Sequence, residues 1–227
     1  MDKIKDVHEA QGSGSSKPTL DMMKLAATEV KKNVSELNRP GRKTDIHQAR
    51  VVLLGESHTD TSHIAINAEI IQSVVKYGDI ILVEGAQASQ DLDKSAHKVT
   101  RLIPENVVVR GWDDMDRLHE VVRKQSQIFE VNKEFKEAKR KGQWDKIPVL
   151  GSQLELLEHE KQDIMIRQRN ESLIQTIDAT HQEFPEKRIF AIVGYSHLDD
   201  PGFSQRLDEN HSYMMFKPPL REASDED

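Results

Sequence analysis

The sequence predicts an α/β fold: a central, mainly parallel sheet flanked by helices, with a long helical hairpin inserted before the last core strands. Three observations carry this expectation. Short apolar runs, Val51-Val52-Leu53-Leu54, Ile80-Ile81-Leu82-Val83 and Phe190-Ala191-Ile192-Val193, end at or near glycine, as strands buried on both faces do. Segments with apolar residues at helical spacing lie between them. One pattern, Gly-x-Ser-His, also occurs twice at the end of such a run, as Gly55-Glu56-Ser57-His58 and as Gly194-Tyr195-Ser196-His197.

The elements follow in chain order. Residues 1–19 include Gln11-Gly12-Ser13-Gly14-Ser15-Ser16-Lys17-Pro18, a flexible-linker composition. Leu20 to Leu37 reads as a helix, with Met22, Leu25, Ala26, Val30 and Val34 at helical spacing, and Asn38-Arg39-Pro40-Gly41 ends it. Arg50 to Glu56 is the first strand. Thr61 or a neighbour caps a helix with Ile64, Ala68, Ile71 and Val75 on one face. Asp79 to Gly85 is the second strand and finishes at Glu84. A helical stretch is expected around Ala88 to Leu102, then a third strand from Asn106 to Asp113.

From Asp114 to about Gln182 the chain is charged, with Leu118, Val122, Phe129 and Phe135 at broadly helical intervals. Lys141 to Pro148 breaks the pattern, and a second long helix is expected from about Ser152. The segment 114–182 reads as a helical insert, or alternatively as long helices covering the sheet. Arg188 to Tyr195 is the fourth strand, Phe203 to Asn210 a short helix and Tyr213 to Lys217 the last strand. Residues 218–227 close with Ser224-Asp225-Glu226-Asp227 and read as a frayed acidic tail. A single domain over 20–217 is expected.

Composition narrows the function classes. The chain has 227 residues, enough for one α/β domain with a sizeable core. With 32 basic and 39 acidic residues the net charge is −7, so there is no basic footprint and no nucleic-acid partner is expected. There is no cysteine, which removes disulfides, thiolate zinc sites and cysteine nucleophiles. Met1 to Lys5 opens no apolar core, and no stretch reaches the ~18 apolar residues of a spanning helix. The expectation is a soluble, cytoplasmic protein.

In open α/β sheets ligands bind beyond the carboxyl ends of the strands. Those ends present Glu56 and His58, then Glu84, Asp113 and His197. Two imidazoles with two or three carboxylates form a plausible divalent-metal set, and a bound metal would generate hydroxide near neutral pH. The same set could act without metal, a histidine serving as base and a carboxylate orienting it. Glu84 is costly to bury unpaired. Asp113 reads more simply as part of a helix start with Asp114. His63, about one turn into the helix after His58, could face the cleft but is expected at the surface. A serine nucleophile is disfavoured, because Ser57-His58 and Ser196-His197 are sequence neighbours and no Gly-x-Ser-x-Gly elbow is present.

Gly55-Glu56-Ser57-His58, the strand-end Glu84 and Gly194-Tyr195-Ser196-His197-Leu198 resemble the paired Gly-x-x-His plus Glu signature of the TraB/TIKI superfamily. Its relatives include erythromycin-esterase-like proteins, haem-binding ChaN lipoproteins and a domain of the Pasteurella multocida toxin. Arg167-Gln168-Arg169-Asn170-Glu171-Ser172-Leu173-Ile174 is similar to that family's Arg-Asn helix start, with Arg169 matching its arginine. The resemblance spans about residues 50 to 210. It implies a hydrolase acting on a peptide, ester or amide carbonyl, with Glu56, His58, Glu84, Arg169 and His197 as the site. It also implies a divalent metal (Mn, Co, Fe or Zn) on His58, Glu84, His197 and Glu56, with haem binding without turnover as the alternative. An effector or interaction domain with a vestigial site is the third reading. Arg169 would bind an anionic group or an oxyanion, or pair with Glu56 or Glu84. The partner would be a small molecule or a peptide, and the helical insert would serve as a lid or a homodimer interface.

Overall fold

A computed structural model describes residues 46–57, 60–93 and 107–218. The expected linker, the Leu20–Leu37 helix, the tail beyond residue 218 and His58 lie outside the described residues. So does most of the helix expected before the third strand; within it, Ala88 and Asp91 bridge to Gly111 and Arg110 instead of starting a helix.

Five strands form one sheet: β1 (Val51–Glu56), β2 (Ile80–Gln87), β3 (Val108–Asp113), β4 (Ile189–Gly194) and β5 (Tyr213–Phe216). Their spatial order is β3-β2-β4-β1-β5, and every pairing is parallel. The reason is visible in β1. Successive side chains point to opposite faces, and both faces are apolar. Val52 and Leu54 join Ile66, Ile70 and Ile71 of α1 (Thr61–Val74) on one side. Val51 and Leu53 join Leu173, Ile177, Phe203 and Leu207 on the other. Each such side chain contributes roughly 1.5–3 kcal/mol on burial, so a strand with no polar face is held as the middle of three layers.

Asp60 caps α1, its Oδ1 accepting from the Ser62 amide at 2.8 Å, so the cap lies one residue before Thr61. Between β3 and β4 run α2 (Met115–Arg140), α3 (Ile147–Asp163), a π-helical turn (Ile164–Gln168) and α4 (Arg169–Glu183). Pro148 sits in the first turn of α3 rather than before it. The first turn tolerates proline because its missing N–H would have no helical partner, so the helix begins about five residues earlier than the sequence pattern indicates. α2 and α3 pack against each other through Ile128, Val131 and Leu157, with Lys124 Nζ 2.6 Å from Glu160 Oε2. A short helix α5 (Tyr195–Leu198) and α6 (Pro201–Asn210) connect β4 to β5. Among the described residues no helix is long and apolar enough to cross a membrane.

Two glycines shape the carboxyl end of β2 and β3. Gly85 has φ +79°, a conformation that side chains disfavour, and it directly follows Glu84 where the β2/β3 register shifts. Gly111 of β3 leaves no room for a side chain: a Cβ would lie 2.3 Å from the Gln87 carbonyl oxygen and 2.4 Å from that of Ala86.

Candidate functional site

The carboxyl ends of the strands open onto a cleft of about 780 Å3. Its floor holds Glu56 from β1, Glu84 from β2, Asp113 from β3 and His197 from α5, with Arg169 from the start of α4. Its wall holds Leu118 and Val121 of α2 and Met165 of the π-helical turn. The hydrogen bonds of the π turn span one residue more than those of an α-helix; Met165 within it lies on the wall, and Arg169 directly after it lies on the floor.

Arg169 is the centre of the floor. Its Nε donates to Asp113 Oδ1 at 2.8 Å and its Nη2 to Asp113 Oδ2 at 2.6 Å. Nη2 also donates to Glu84 Oε1 at 2.6 Å. Burial works against the guanidinium charge, but the Asp113 hydrogen bonds and the charges of Glu84 and Asp113 outweigh it and hold the pKa above its ordinary value. The remaining acceptor capacity of the two carboxylates is used by backbone. Gly194 N donates to Glu84 Oε2 at 2.9 Å, and Gly85 N to Asp113 Oδ2 at 3.1 Å. Asp113 is fully buried. The expectation that it serves a helix start is corrected: Asp114 alone caps α2, and Asp113 turns inward to the arginine. The cation's partners are Glu84 and Asp113; an Arg169–Glu56 pair is not part of this arrangement.

His197 is held from behind. Asn170, fully buried, uses Nδ2 to donate to the His197 carbonyl at 3.2 Å and to Asp200 Oδ2 at 2.9 Å. Its Oδ1, 2.8 Å from His197 Nδ1, must therefore accept. That fixes the neutral imidazole with its proton on Nδ1 and its lone pair on Nε2. Nε2 lies 3.6 Å from Glu84 Oε1. Trp112 packs beneath, its ring edge-on to His197 at 5.4 Å and below the Arg169 guanidinium at 5.5 Å. The Trp112 indole N–H donates to the Ile192 carbonyl at 3.0 Å.

His63 is a second correction. It is fully buried rather than at the surface. Its Nδ1 accepts from the Ser57 amide at 3.1 Å, and its Nε2 stands 3.3 Å from Asp60 Oδ2. It thus ties the turn after β1 to the start of α1, with its ring tilted against Tyr195 at 5.1 Å.

Of the expected site, the structure brings Glu56, Glu84, Arg169 and His197 to one cleft, and His58 lies outside the described residues. Asp113, expected at the same edge but read more simply as a helix start, joins them, and Asn170 and Trp112 complete the cluster without having been singled out. Of these two, Asn170 had a readable signal, its position beside Arg169.

The donor set was expected to take a divalent metal. Among the described residues no group of three or more His, Asp or Glu side chains converges to hold one. Glu84 is engaged by Arg169 and Gly194, so a metal there would have to displace a buried cation. A haem fits no better: the wall is apolar, but the floor carries three carboxylates and a guanidinium against a macrocycle that is apolar on both faces. No family model, curated protein or solved structure matches this chain.

Proposed function

We propose that the protein is a hydrolase that activates water with a histidine–glutamate pair against an ester, amide or peptide carbonyl. The observation that carries this reading is the Asn170–His197–Glu84 alignment. Asn170 presents the His197 Nε2 lone pair to the cleft, and Glu84 Oε1, 3.6 Å away, stabilises the imidazolium that forms when Nε2 takes a proton. The water oxygen bonds to the carbonyl carbon, the carbonyl becomes tetrahedral, and the same proton passes from Nε2 to the leaving oxygen or nitrogen as its bond to carbon breaks. Arg169 holds Glu84 and Asp113 in place as charged groups. His58 with Glu56 is the second candidate base, on the strength of the repeated motif.

A screen of activated esters, amides and short peptides, with and without added divalent ions, tests the reading. His197→Ala is expected to lower kcat on any substrate found by roughly 10²–10⁴-fold, the ordinary contribution of a general base. Undiminished turnover in that variant sinks the proposal. Activity that requires Mn, Co, Fe or Zn would restore the metal reading that the family resemblance implies.

A second reading concerns assembly. Val122 and Phe129 lie seven residues apart on α2, Val149 and Leu156 seven apart on α3, and all four are more than half exposed. Heptad spacing on both helices suits packing against another helix pair. Together these features support a two-fold homodimer that pairs each α2 with the partner's α3.

A further inference from the structure

The far end of the α2–α3 hairpin carries residues that its own fold does not require. α2 ends in a tight reversal, the Gln143 amide donating to the Ala138 carbonyl at 3.0 Å and the Gly142 amide to the Lys139 carbonyl at 3.2 Å. The Lys146 amide then donates to the Gln143 carbonyl at 3.1 Å, and α3 begins. On this fixed turn Trp144 is 70% exposed. Lys146 holds the cap position of α3, where a side-chain acceptor is favoured and a cation opposes the helix dipole, and its side chain makes no capping hydrogen bond. Neither residue serves the hairpin's own small core of Ile128, Val131 and Leu157.

Positive charge gathers at the same end. Residues 133–146 hold Lys133, Lys136, Lys139, Arg140, Lys141 and Lys146 against Glu134, Glu137 and Asp145, a local net charge of +3 in a chain of net −7. All six cations are exposed. Glu137 is shared by Lys141 at 2.7 Å and Arg140 at 3.9 Å. Lys133, Lys136, Lys139 and Lys146 have no ion-pair partner among the described residues, Lys139 resting instead over the Phe135 ring at 4.4 Å. The dipole of α2 accounts for Lys139 and Arg140 in its last turn but not for Lys133, Lys136 or Lys146.

We propose that this turn docks on an anionic bilayer surface, Trp144 settling among the headgroups and the unpaired lysines meeting their negative charge. Contact is peripheral, since none of the described helices can cross a membrane. A nucleic-acid strand fits less well. Following its backbone takes a basic groove with several stacking rings, whereas the turn offers one ring and the recess beside it is lined by Glu134, Glu137 and Asp145. Val121 on the cleft wall and Arg140 are separated by on the order of 30 Å of helix. A chain held by this tip alone keeps its cleft off the membrane and open to water-borne compounds. The proposal is independent of the hydrolase reading.

The test is co-sedimentation of the full chain at low salt with phosphatidylcholine vesicles and with vesicles containing about one third phosphatidylserine. Binding is expected at millimolar lipid on the mixed vesicles, at least about tenfold weaker on the neutral ones, and it should fade as salt is added. Emission from Trp144 should shift to the blue on the mixed vesicles; Trp112, the other indole, is fully buried and gives a constant background. Lys133→Glu/Lys136→Glu and Trp144→Ala change exposed positions and should keep the helical signal. The first should weaken binding at least about tenfold, and the second should abolish the emission shift. No binding to the mixed vesicles overturns the proposal, as does equal binding to neutral ones or undiminished binding by the lysine variant. Binding of an oligonucleotide through the same lysines, with none to vesicles, overturns it in favour of a nucleic-acid partner.

Discussion

Arg169 and Asp113, 56 residues apart in the chain, meet through two parallel hydrogen bonds of 2.8 and 2.6 Å. This fork joins the end of β3 to the start of α4, and the same Nη2 reaches β2 at Glu84. Arg169→Leu leaves two shielded carboxylates without their cation and should cost about 3–5 kcal/mol of stability. Arg169→Lys keeps the charge but not the fork and should recover only part of that. Urea unfolding of the three proteins gives the ranking directly.

Asn170 has a distinct job, the choice of the His197 tautomer. Asn170→Ala removes the partner of His197 Nδ1 and one hydrogen bond each from the His197 carbonyl and Asp200, and should destabilise by about 1–3 kcal/mol. Its specific signature is in the ring. Nitrogen-15 shifts of His197 should report a proton on Nδ1 in the parent and a mixture of tautomers in the variant. An unchanged tautomer in Asn170→Ala would show that Asn170 does not select it.

Tyr195 predicts a loss of stability at alkaline pH. Burial, with a further contribution from the Asp60 charge, pushes its phenol up to about 12. The unfolded chain ionises this group near 10 and the folded one only near 12, so the unfolded state releases the proton first. Stability attached to Tyr195 is complete below about pH 10 and is lost as pH rises toward 12. Tyr195→Phe loses the hydrogen bond from the phenol to the Pro218 carbonyl. Its unfolding midpoint should nevertheless fall less steeply over that interval than the parent's.

The proposed self-association through α2 and α3 makes a direct demand on mass. Light scattering after size exclusion should give twice the chain mass of 25.9 kDa at micromolar concentration. A charge placed in the stripe, Phe129→Glu, should return it to a single chain with no loss of helical signal. A parent that is monomeric at every concentration removes this assembly.

The strands were legible because their runs are apolar on both faces, which needs no knowledge of partners: Val51 to Leu54 and Phe190 to Val193 could be placed on composition alone. The fate of neighbouring polar residues was not. Asp113 and Asp114 are identical in type and adjacent, yet one caps a helix and the other meets an arginine from the next long segment. Only the backbone direction at the end of β3 separates them. His63, about one turn after His58, was read toward the surface; its contacts with Ser57, Asp60 and Tyr195, which place it inside, come from elements that sequence order does not show to be neighbours. Pro148 was read as a break because proline stops helices from inside but starts them from the first turn, and the sequence does not mark which applies. Glu84 and His197 were legible as strand-end residues; their 3.6 Å relationship depends on β2 and β4 being neighbours, which sequence order hides.

Gly111 never touches the cleft, yet it governs who may be a descendant of this chain. Any other residue there forces β3 off the β2 carbonyls that approach it, and Asp113, two residues on, moves with it. A saturation scan should therefore find Gly111 as intolerant as the residues on the floor. A lineage drifting to a new substrate could rewrite Leu118, Val121 or Met165 freely while inheriting this one position unchanged.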